Sequence, residues 1–206
     1  MKYREILIEQ LKPLSFFNKE TVFQLSKQYD IKSTTVDTYI SRSLMRKDIL
    51  SLKRGVYVTT DFYNKNKGEI SYSFFLANIL RAPSYVSSWT ALQYYNLNTE
   101  AIHNITSVTE KVSRYYVTKV GNFTYQSMKK NIFSGFSLVK GKFDFFIATP
   151  SKALFDLLYF KTNQFRGIKF EDVGKIVEGL RIDIDEMEES EKNKFYKMIK
   201  EYLHHE

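Results

Sequence analysis

Hydrophobic positions in the first 48 residues recur at helical spacing in three successive segments. The first predicted helix covers Tyr3–Leu11, and Pro13 ends it because the residue before a proline avoids helical backbone angles. Asn18 is placed to cap a second helix that reaches about Tyr29. Phe17 and Val22 flank this cap at the spacing of a hydrophobic staple.

The third segment predicts a helix that begins at Ser33 or Thr34, with Asp37 placed to complete a capping box with Thr34. Its apolar positions recur every four residues and form the predicted inner face. They are Val36, Ile40 and Leu44.

The opposite face of this helix carries hydroxyl and guanidinium groups, and Asp37 is the only acidic residue between Ser33 and Lys47. Hydrogen-bond donors without balancing acids are typical of a helix that lies in the major groove of DNA. The predicted DNA-contacting residues of this region are Thr34, Thr35, Thr38, Tyr39, Arg42, Arg46 and Lys47.

Two short runs rich in apolar and β-branched residues follow, Ile49–Leu52 and Val56–Thr59, separated by a basic turn with a glycine. This pattern predicts a β-hairpin, whose tip offers Lys53 and Arg54 to a phosphate backbone. A hairpin in this place predicts a winged helix-turn-helix that binds double-stranded DNA. The alternative is a small helical domain whose third helix merely faces solvent.

The polar segment Asp61–Glu69, with a glycine near its end, predicts a linker. The predicted domains are therefore 1–67, a winged helix-turn-helix plus linker, and 68–206. The second domain is predicted to have helices over Ile70–Leu80, Trp89–Leu97, from Pro150, Glu171–Leu180 and Glu186–Leu203. Its predicted strands are Tyr85–Ser87, Ile105–Val108, Tyr115–Val120, Phe123–Ser127, Phe136–Val139 and Phe143–Thr149. The predicted fold class is α+β, with a mixed α/β second domain in which helices flank an antiparallel sheet.

The charge distribution favours the same interpretation of the first domain. Of the net charge of +8, residues 1–67 contribute 13 Lys/Arg against 7 Asp/Glu, and the remaining 139 residues contribute 18 against 16. A basic domain attracts a polyanion because binding releases counterions, which makes nucleic acid the first partner to consider. The absence of cysteine excludes disulfides and thiolate metal sites, and no apolar run approaches the roughly 20 residues of a membrane span. We expect a cytoplasmic protein with no membrane contact.

Basic residues also cluster in the strand region of the second domain, interleaved with tyrosines and phenylalanines. The cluster supports two interpretations: a sheet with one aromatic face buried and one charged face in solvent, or a second surface that contacts DNA or RNA. The basic residues are Lys111, Arg114, Lys119, Lys129, Lys130, Lys140 and Lys142.

Candidate catalytic groups are few. His103 stands alone, and His204 and His205 lie at the chain end. Asp183 and Asp185 could pair on a divalent metal, but no glycine-rich phosphate loop precedes them and they open an acidic helix start. We therefore predict no enzyme activity, no cofactor and no metal.

Three segments of the chain resemble the AbiEi antitoxins, the repressor half of AbiE type IV toxin–antitoxin systems. They are the helix-turn-helix closing in Leu52–Tyr57, the segment Tyr85–Leu92 with Tyr95-Asn96-Leu97, and the segment Ala148–Leu158. Where this chain has Ser151-Lys152-Ala153, the family more often has Glu-Arg-Thr or similar.

The resemblance implies two roles. The winged domain would bind inverted repeats in its own promoter as a repressor, and the second domain would counteract a nucleotidyltransferase-like toxin without forming a stable complex. We expect a monomer in solution that binds neighbouring major grooves cooperatively. The alternatives are a winged-helix regulator that senses a small ligand and an RNA-binding accessory protein.

Overall fold

The computed structural model describes residues 3–98 and 104–204, and the fold is mixed α+β. It forms two compact units, which are treated separately below. The N-terminal unit comprises the described residues up to Tyr72 together with Tyr116–Gly121. The C-terminal unit comprises Ser73–Tyr115 and the described residues from Asn122 onward.

The N-terminal unit is built from short helices and a small antiparallel sheet. Its helices are α1 (Tyr3–Leu11), α2 (Lys19–Lys27), α3 (Ser33–Met45) and α4 (Thr60–Asn66). Its strands are β1 (Phe17–Asn18), β2 (Ile49–Lys53) and β3 (Val56–Thr59), in the order β1-β3-β2. The predicted helices and hairpin of this region are confirmed, whereas the short strand β1 was not predicted.

The core of the N-terminal unit forms where α1, α2, α3 and the sheet present their apolar faces to one another. Phe17 precedes the N-cap Asn18 and pairs in register with Tyr57 of β3, so the start of α2 is tied to the sheet. The buried cluster comprises Leu11, Phe17, Val22, Val36, Ile40 and Ile49.

The predicted linker over Asp61–Glu69 is wrong, because most of this segment is helix α4. The hydroxyl of Thr59 caps α4 by accepting from the backbone N–H of Phe62 at 3.2 Å. The ring of Phe62 then packs on that of Tyr72, whose hydroxyl donates to the carbonyl of Ser15 at 2.8 Å. A polar composition concealed one capping residue and one half-buried aromatic, which hold a seven-residue helix against its unit.

The C-terminal unit holds a mixed sheet and several helices. The helices are α5 (Ile70–Leu80, whose first turn belongs to the N-terminal unit), α6 (Ser88–Tyr94), α7 (Pro150–Lys161), α8 (Val173–Gly179) and α9 (Glu189–His204). The strands are β4 (Ser84–Val86), β5 (Asn104–Thr109), β6 (Arg114–Thr118), β7 (Gly121–Ser127), β8 (Phe136–Val139) and β9 (Phe145–Ala148). The last three residues of β6 and the first of β7 are grouped with the N-terminal unit. The order is β6-β7-β5-β4-β9-β8.

The expectation of an antiparallel sheet in the second domain is also wrong. β4 pairs with β5 and β8 with β9 in antiparallel fashion, but β4 runs parallel to β9 and β5 runs parallel to β7. Parallel neighbours need a crossover connection. Here β6 lies between β5 and β7 in the chain, and α6 with four strands lies between β4 and β9. Apolar alternation identifies strands, but it does not give their direction.

Helix α7 is the buried centre of the C-terminal unit. Every residue from Ser151 to Tyr159 is buried, and α7 packs against both α6 and α9. A helix buried on all sides is expected to be apolar all round, so its few polar side chains need partners. Thr149 caps it, with a hydroxyl that accepts from the backbone N–H of Lys152 at 3.4 Å.

The two last predicted helices begin later than the sequence pattern suggests. A short 3-10 helix over Phe170–Asp172 precedes α8, and another over Ile184–Glu186 precedes α9. The extended backbone of Met187 separates the second of these from α9. Among the described residues, no helix combines the length and the apolar character that crossing a membrane requires.

Burial in the N-terminal unit predicts that substituting two of its apolar residues will change the free energy of unfolding by very different amounts. Leu11→Ala should lower the free energy of unfolding by about 2–5 kcal/mol, since Leu11 is 2% exposed and its removal leaves a cavity. Met45→Ala should change it by less than about 0.5 kcal/mol, since Met45 is 75% exposed. Urea unfolding followed by circular dichroism measures both, and equal losses would contradict this packing.

Candidate nucleic-acid interface

A tight turn joins α2 to α3 in the N-terminal unit. Ser26 of α2 is fully buried, and its hydroxyl donates to the carbonyl of Phe23 at 2.8 Å. The backbone N–H of Ile31 donates to the carbonyl of Ser26 at 3.2 Å, and Asp30 adopts a φ of 52°. Aspartate tolerates this left-handed conformation better than most residues, so the chain reverses within a few residues and α3 lies against α2.

The inner side of α3 is a narrow buried stripe. Val36 and Ile40 are buried as predicted, Ser43 is buried beside them, and Leu44 is half-buried. These positions lie on one side of the helix, which fixes the rotation of α3 about its own axis. The residues on the other side therefore face solvent.

The predicted contact residues of α3 and of the turn after it divide into two groups. Those exposed to solvent are Thr34, Thr38, Arg42, Arg46 and Lys47. Thr35 and Tyr39 are half-buried at the border of the exposed face. The Tyr39 side chain also borders a small apolar gap that is lined by Leu7 and Leu11 of α1. Tyr39 thus contributes to packing as well as to the surface.

Two residues that the sequence analysis did not select share this face. Ser41 is exposed, and Met45 is the most exposed large apolar side chain of the described part of α3. With Thr34 and Thr38 they are spaced four, three and four residues apart, which places all four on one stripe. The same periodicity could have identified them in the sequence. We call this set, with Arg42 beside it, the α3 outer face.

The expected capping box between Thr34 and Asp37 is wrong. The N-cap of α3 is Lys32, whose extended backbone directly precedes the helix, so Thr34 lies inside the first turn. The carboxylate of Asp37 instead pairs with the ammonium of Lys19 in α2, with N–O distances of 2.7 and 2.8 Å. Both side chains are more than half exposed, so the pair adds little stability, but it neutralises the single acid of α3.

The hairpin β2–β3 presents a basic tip. β2 and β3 pair through Leu50 and Val58, and the register shifts between Ser51 and Lys53. Gly55 closes the turn with a φ of +79°, a conformation that side-chain-bearing residues rarely adopt.

Of the two tip residues predicted to contact phosphate, Arg54 is exposed and Lys53 is half-buried.

The second predicted basic surface is divided between the two units. Lys111, Arg114, Lys129 and Lys130 are exposed in the C-terminal unit, whereas Lys119 is exposed in the segment grouped with the N-terminal unit. The aromatic side chains between them take different roles. Phe123 and Tyr125 are buried, as the interpretation of one aromatic face in the core requires, while Tyr115 is 54% exposed.

A buried ionic cluster in the C-terminal unit was missed by the sequence analysis. The ammonium of Lys152 lies 2.6 Å from Oδ1 of Asp156, one turn further along α7, and these side chains are 2% and 0% exposed. The other carboxylate oxygen of Asp156 accepts hydrogen bonds from the hydroxyls of Ser87 at 2.6 Å and Tyr85 at 3.0 Å. We call these four residues the Lys152–Asp156 cluster.

The backbone at Gly135 lies too close to this cluster to carry a side chain. Gly135 has a φ of +74°, and a Cβ added to it would lie 3.0 Å from Cγ of Lys152. The ring of Tyr85 stacks on that of Phe136 with centroids 4.4 Å apart. The ammonium of Lys152 also lies 4.8 Å from the ring centroid of Phe155. Charge, hydrogen bonding and packing therefore all specify the same arrangement.

Burial is the largest influence on the pKa values of Asp156 and Tyr85 in this cluster. It raises the pKa of Asp156, and the charge and hydrogen bond of Lys152, with the hydroxyls of Ser87 and Tyr85, oppose this shift. Burial, together with the Asp156 carboxylate, also raises the pKa of Tyr85. Both directions follow from the cost of a charge in a low-dielectric interior.

A second buried carboxylate holds the start of α7. Oε2 of Glu191 in α9 accepts from the backbone N–H of Ser151 at 3.0 Å and from its hydroxyl at 2.6 Å. Oε1 of the same residue lies 2.6 Å from the ammonium of Lys194. Burial acts to raise the pKa of Glu191, but the hydrogen bonds from Lys194 and Ser151 outweigh it and the net pKa is lowered.

The candidate catalytic residues are not assembled into a site. Asp183 and Asp185 are exposed at a short 3-10 helix, and His204 is exposed at the end of α9. His103 and His205 lie outside the described residues. Within residues 3–98 and 104–204, no three His, Asp or Glu side chains converge in a way that could hold a metal ion.

Comparison with known proteins gives no family. No family model matches the chain, and no curated protein matches it at a significant level.

The lowered pKa of Glu191 predicts a pH-dependent contribution to stability. A lowered folded-state pKa stabilises the fold above the ordinary glutamate pKa of about 4.3, and this contribution disappears as the pH falls through the folded-state value. Glu191→Gln should therefore lower the free energy of unfolding at pH 7 by on the order of 1 kcal/mol.

Urea unfolding at pH 7 and at pH 3 measures this effect. The difference between the wild type and Glu191→Gln should shrink at pH 3. Glu178→Gln, at an exposed position of α8, is the matched control and should have little effect at either pH. A loss of equal size at both pH values would show that charge is not its source.

Proposed function

We propose that the N-terminal unit is a winged helix-turn-helix that binds double-stranded DNA, with α3 in the major groove and the β2–β3 hairpin as the wing. The α3 outer face is the observation that carries this proposal. It displays hydroxyls, one guanidinium group and an exposed methionine, and the nearby Asp37 is neutralised by Lys19. Such a face repels no phosphate and offers groups that base edges can bind.

The chemistry assigns different roles to these side chains. The guanidinium group of Arg42 suits bidentate contact with the O6 and N7 atoms of a guanine. Thr34, Thr38 and Ser41 can bond to several bases, and Met45 offers an apolar group to a thymine methyl. Arg46 and Lys47 follow the outer face along the chain, and Lys53 and Arg54 lie at the hairpin tip; contacts from these residues to phosphate would contribute affinity without sequence information. Thr35 and Tyr39, at the border of the exposed face, would contact the wall of the groove.

We further propose that the protein is an autorepressing antitoxin, on the strength of the resemblance to the AbiEi family. Its operator would be inverted repeats, bound cooperatively by molecules that are monomeric in solution. Its functional partner would be a nucleotidyltransferase-like toxin that it counteracts without a stable complex. No enzyme activity is proposed for this chain.

Two of the three resembling segments contain the Lys152–Asp156 cluster. Tyr85 and Ser87 come from the second segment, and Lys152 and Asp156 come from the third. The likeness in these segments therefore falls on three of the four residues of this cluster, whereas Lys152 lies in the stretch where the chain departs from the family. This supports a shared fold for that unit, whereas the surface that would counteract a toxin lies outside these buried groups.

Arg42→Ala tests the role of the α3 outer face in sequence recognition. A bidentate contact contributes about 1–3 kcal/mol of discrimination, so binding to the promoter duplex should weaken much more than binding to an unrelated duplex. Arg54→Ala should weaken binding to both duplexes about equally. It should also reduce the slope of log affinity against log salt concentration by about 1. Fluorescence anisotropy across a salt series measures these affinities.

Arg166→Ala, at an exposed position of the C-terminal unit, is the matched control and should leave both affinities unchanged. Equal losses on the two duplexes for Arg42→Ala would assign that residue to phosphate. Tighter binding to structured RNA than to promoter duplex at the same salt would favour the RNA-binding alternative.

The two proposed roles should be separable in the full-length chain. A double variant, Arg42→Ala with Arg54→Ala, should lose repression of a promoter reporter and still protect cells from the product of the neighbouring toxin gene. Both substitutions are at exposed positions, so the fold should be retained. Loss of protection in cells that contain wild-type levels of the folded variant would mean that protection requires DNA binding.

A further inference from the structure

A cavity in the C-terminal unit is lined by residues that the proposed DNA binding does not use. Its volume is about 440 Å³, within the range of small-molecule sites. It lies between the short 3-10 helix Lys130–Ile132, α7 and α9. All of its lining residues belong to the C-terminal unit, so it is complete within that unit.

One of the residues that border the cavity is a buried lysine. This residue, Lys152, is 2% exposed, and its ammonium donates to Asp156 at 2.6 Å and contacts the sulfur of Met128 at 3.4 Å. An ammonium group has three protons. The third has no hydrogen-bond acceptor among the described residues. The ammonium lies over the ring of Phe155, which also borders the cavity.

The other bordering residues combine aromatic rings with polar groups. Phe155 and Tyr202 meet edge to face with centroids 5.9 Å apart, and both border the cavity. Lys129 and Ser134 border it on the side of the 3-10 helix, and Glu201 borders it from α9. A ring-shaped ligand would find aromatic contact surface, and an anionic group on it would find Lys129 and Lys152.

We infer that this cavity binds a small organic anion that carries a planar ring, of the size of a nucleoside monophosphate. The ring packs against Phe155 and Tyr202, and the anionic group is bound by Lys129 and the third proton of Lys152. Glu201 accepts a hydrogen bond from a donor on the ring. This site goes beyond the proposed DNA binding and does not depend on it.

Isothermal titration of the full chain in the absence of DNA tests the inference. The probes are AMP, GMP, CMP, UMP and salicylate, with inorganic phosphate and neutral adenosine as partial ligands. At least one ring-bearing anion should bind saturably with a 1:1 ratio, and phosphate and adenosine should bind at least tenfold more weakly. No saturable binding of any ring-bearing anion, or phosphate binding of equal strength, would overturn the inference.

Variants distinguish this cavity from the DNA-binding surface, which also attracts anions. Lys129→Ala should weaken binding at least tenfold, and Ser134→Trp should abolish it by filling the cavity from an exposed position. The matched controls, Lys140→Ala and Ser137→Trp, are exposed in the same unit and do not border the cavity, so they should bind as the wild type does.

Because Ser134 and Lys129 are exposed, these substitutions test the site without removing the buried ion pair that the fold requires. Binding that survives both Lys129→Ala and Ser134→Trp would place the ligand elsewhere and overturn the inference. Since the measurement contains no DNA, its result is independent of whether the N-terminal unit binds an operator.

Discussion

The ion pair between Lys152 and Asp156 is the interaction on which the C-terminal unit depends. Removing two charges from water costs several kcal/mol for each ion, and the cost is recovered only when the geometry is close and the remaining lone pairs are bonded. Here the hydroxyls of Tyr85 and Ser87 donate hydrogen bonds to the Asp156 oxygen that does not contact Lys152. The pair thereby ties α7 to the end of β4, and the stem of Lys152 requires a glycine at position 135. One pair of charges thus constrains a helix, a strand and a turn.

The ion pair beside α3 in the N-terminal unit is exposed, whereas the Lys152–Asp156 pair is buried. The basic residues of the N-terminal unit whose burial is described are exposed or half-buried, and the carboxylate of Asp37 is held by Lys19 at the side of α3. The pair contributes little to stability in water, yet it removes the one negative charge that would oppose a phosphate at this helix. The two units therefore use ion pairs for different ends: the buried pair specifies a packing arrangement, and the exposed pair gives a helix surface a uniform sign.

The sequence predicts where helices and strands lie better than it predicts which elements and side chains contact one another. Periodicity gave α1 and α5 with the bounds that the structure has, and Asn18 was identified as a cap. Strand direction was missed because alternation is the same in parallel and antiparallel pairs. Helix α4 was missed because its polar side chains concealed the contact of Phe62 with Tyr72. The Lys152–Asp156 cluster was missed because lysine and aspartate are usually exposed; their spacing of four within an otherwise apolar helix was the available signal.

The composition of the α3 outer face fits the proposed contact with DNA better than it fits a protein partner. A stable protein interface has a core that excludes water, built from large apolar and aromatic side chains. The exposed side of α3 offers one large apolar group, Met45, among hydroxyls and the guanidinium group of Arg42. Hydroxyls bind base edges weakly and with little selectivity, so in the proposed complex discrimination would fall mainly on Arg42 and affinity on basic residues such as Arg46 and Arg54. An interface of this kind is sensitive to salt and depends on a few side chains for its specificity.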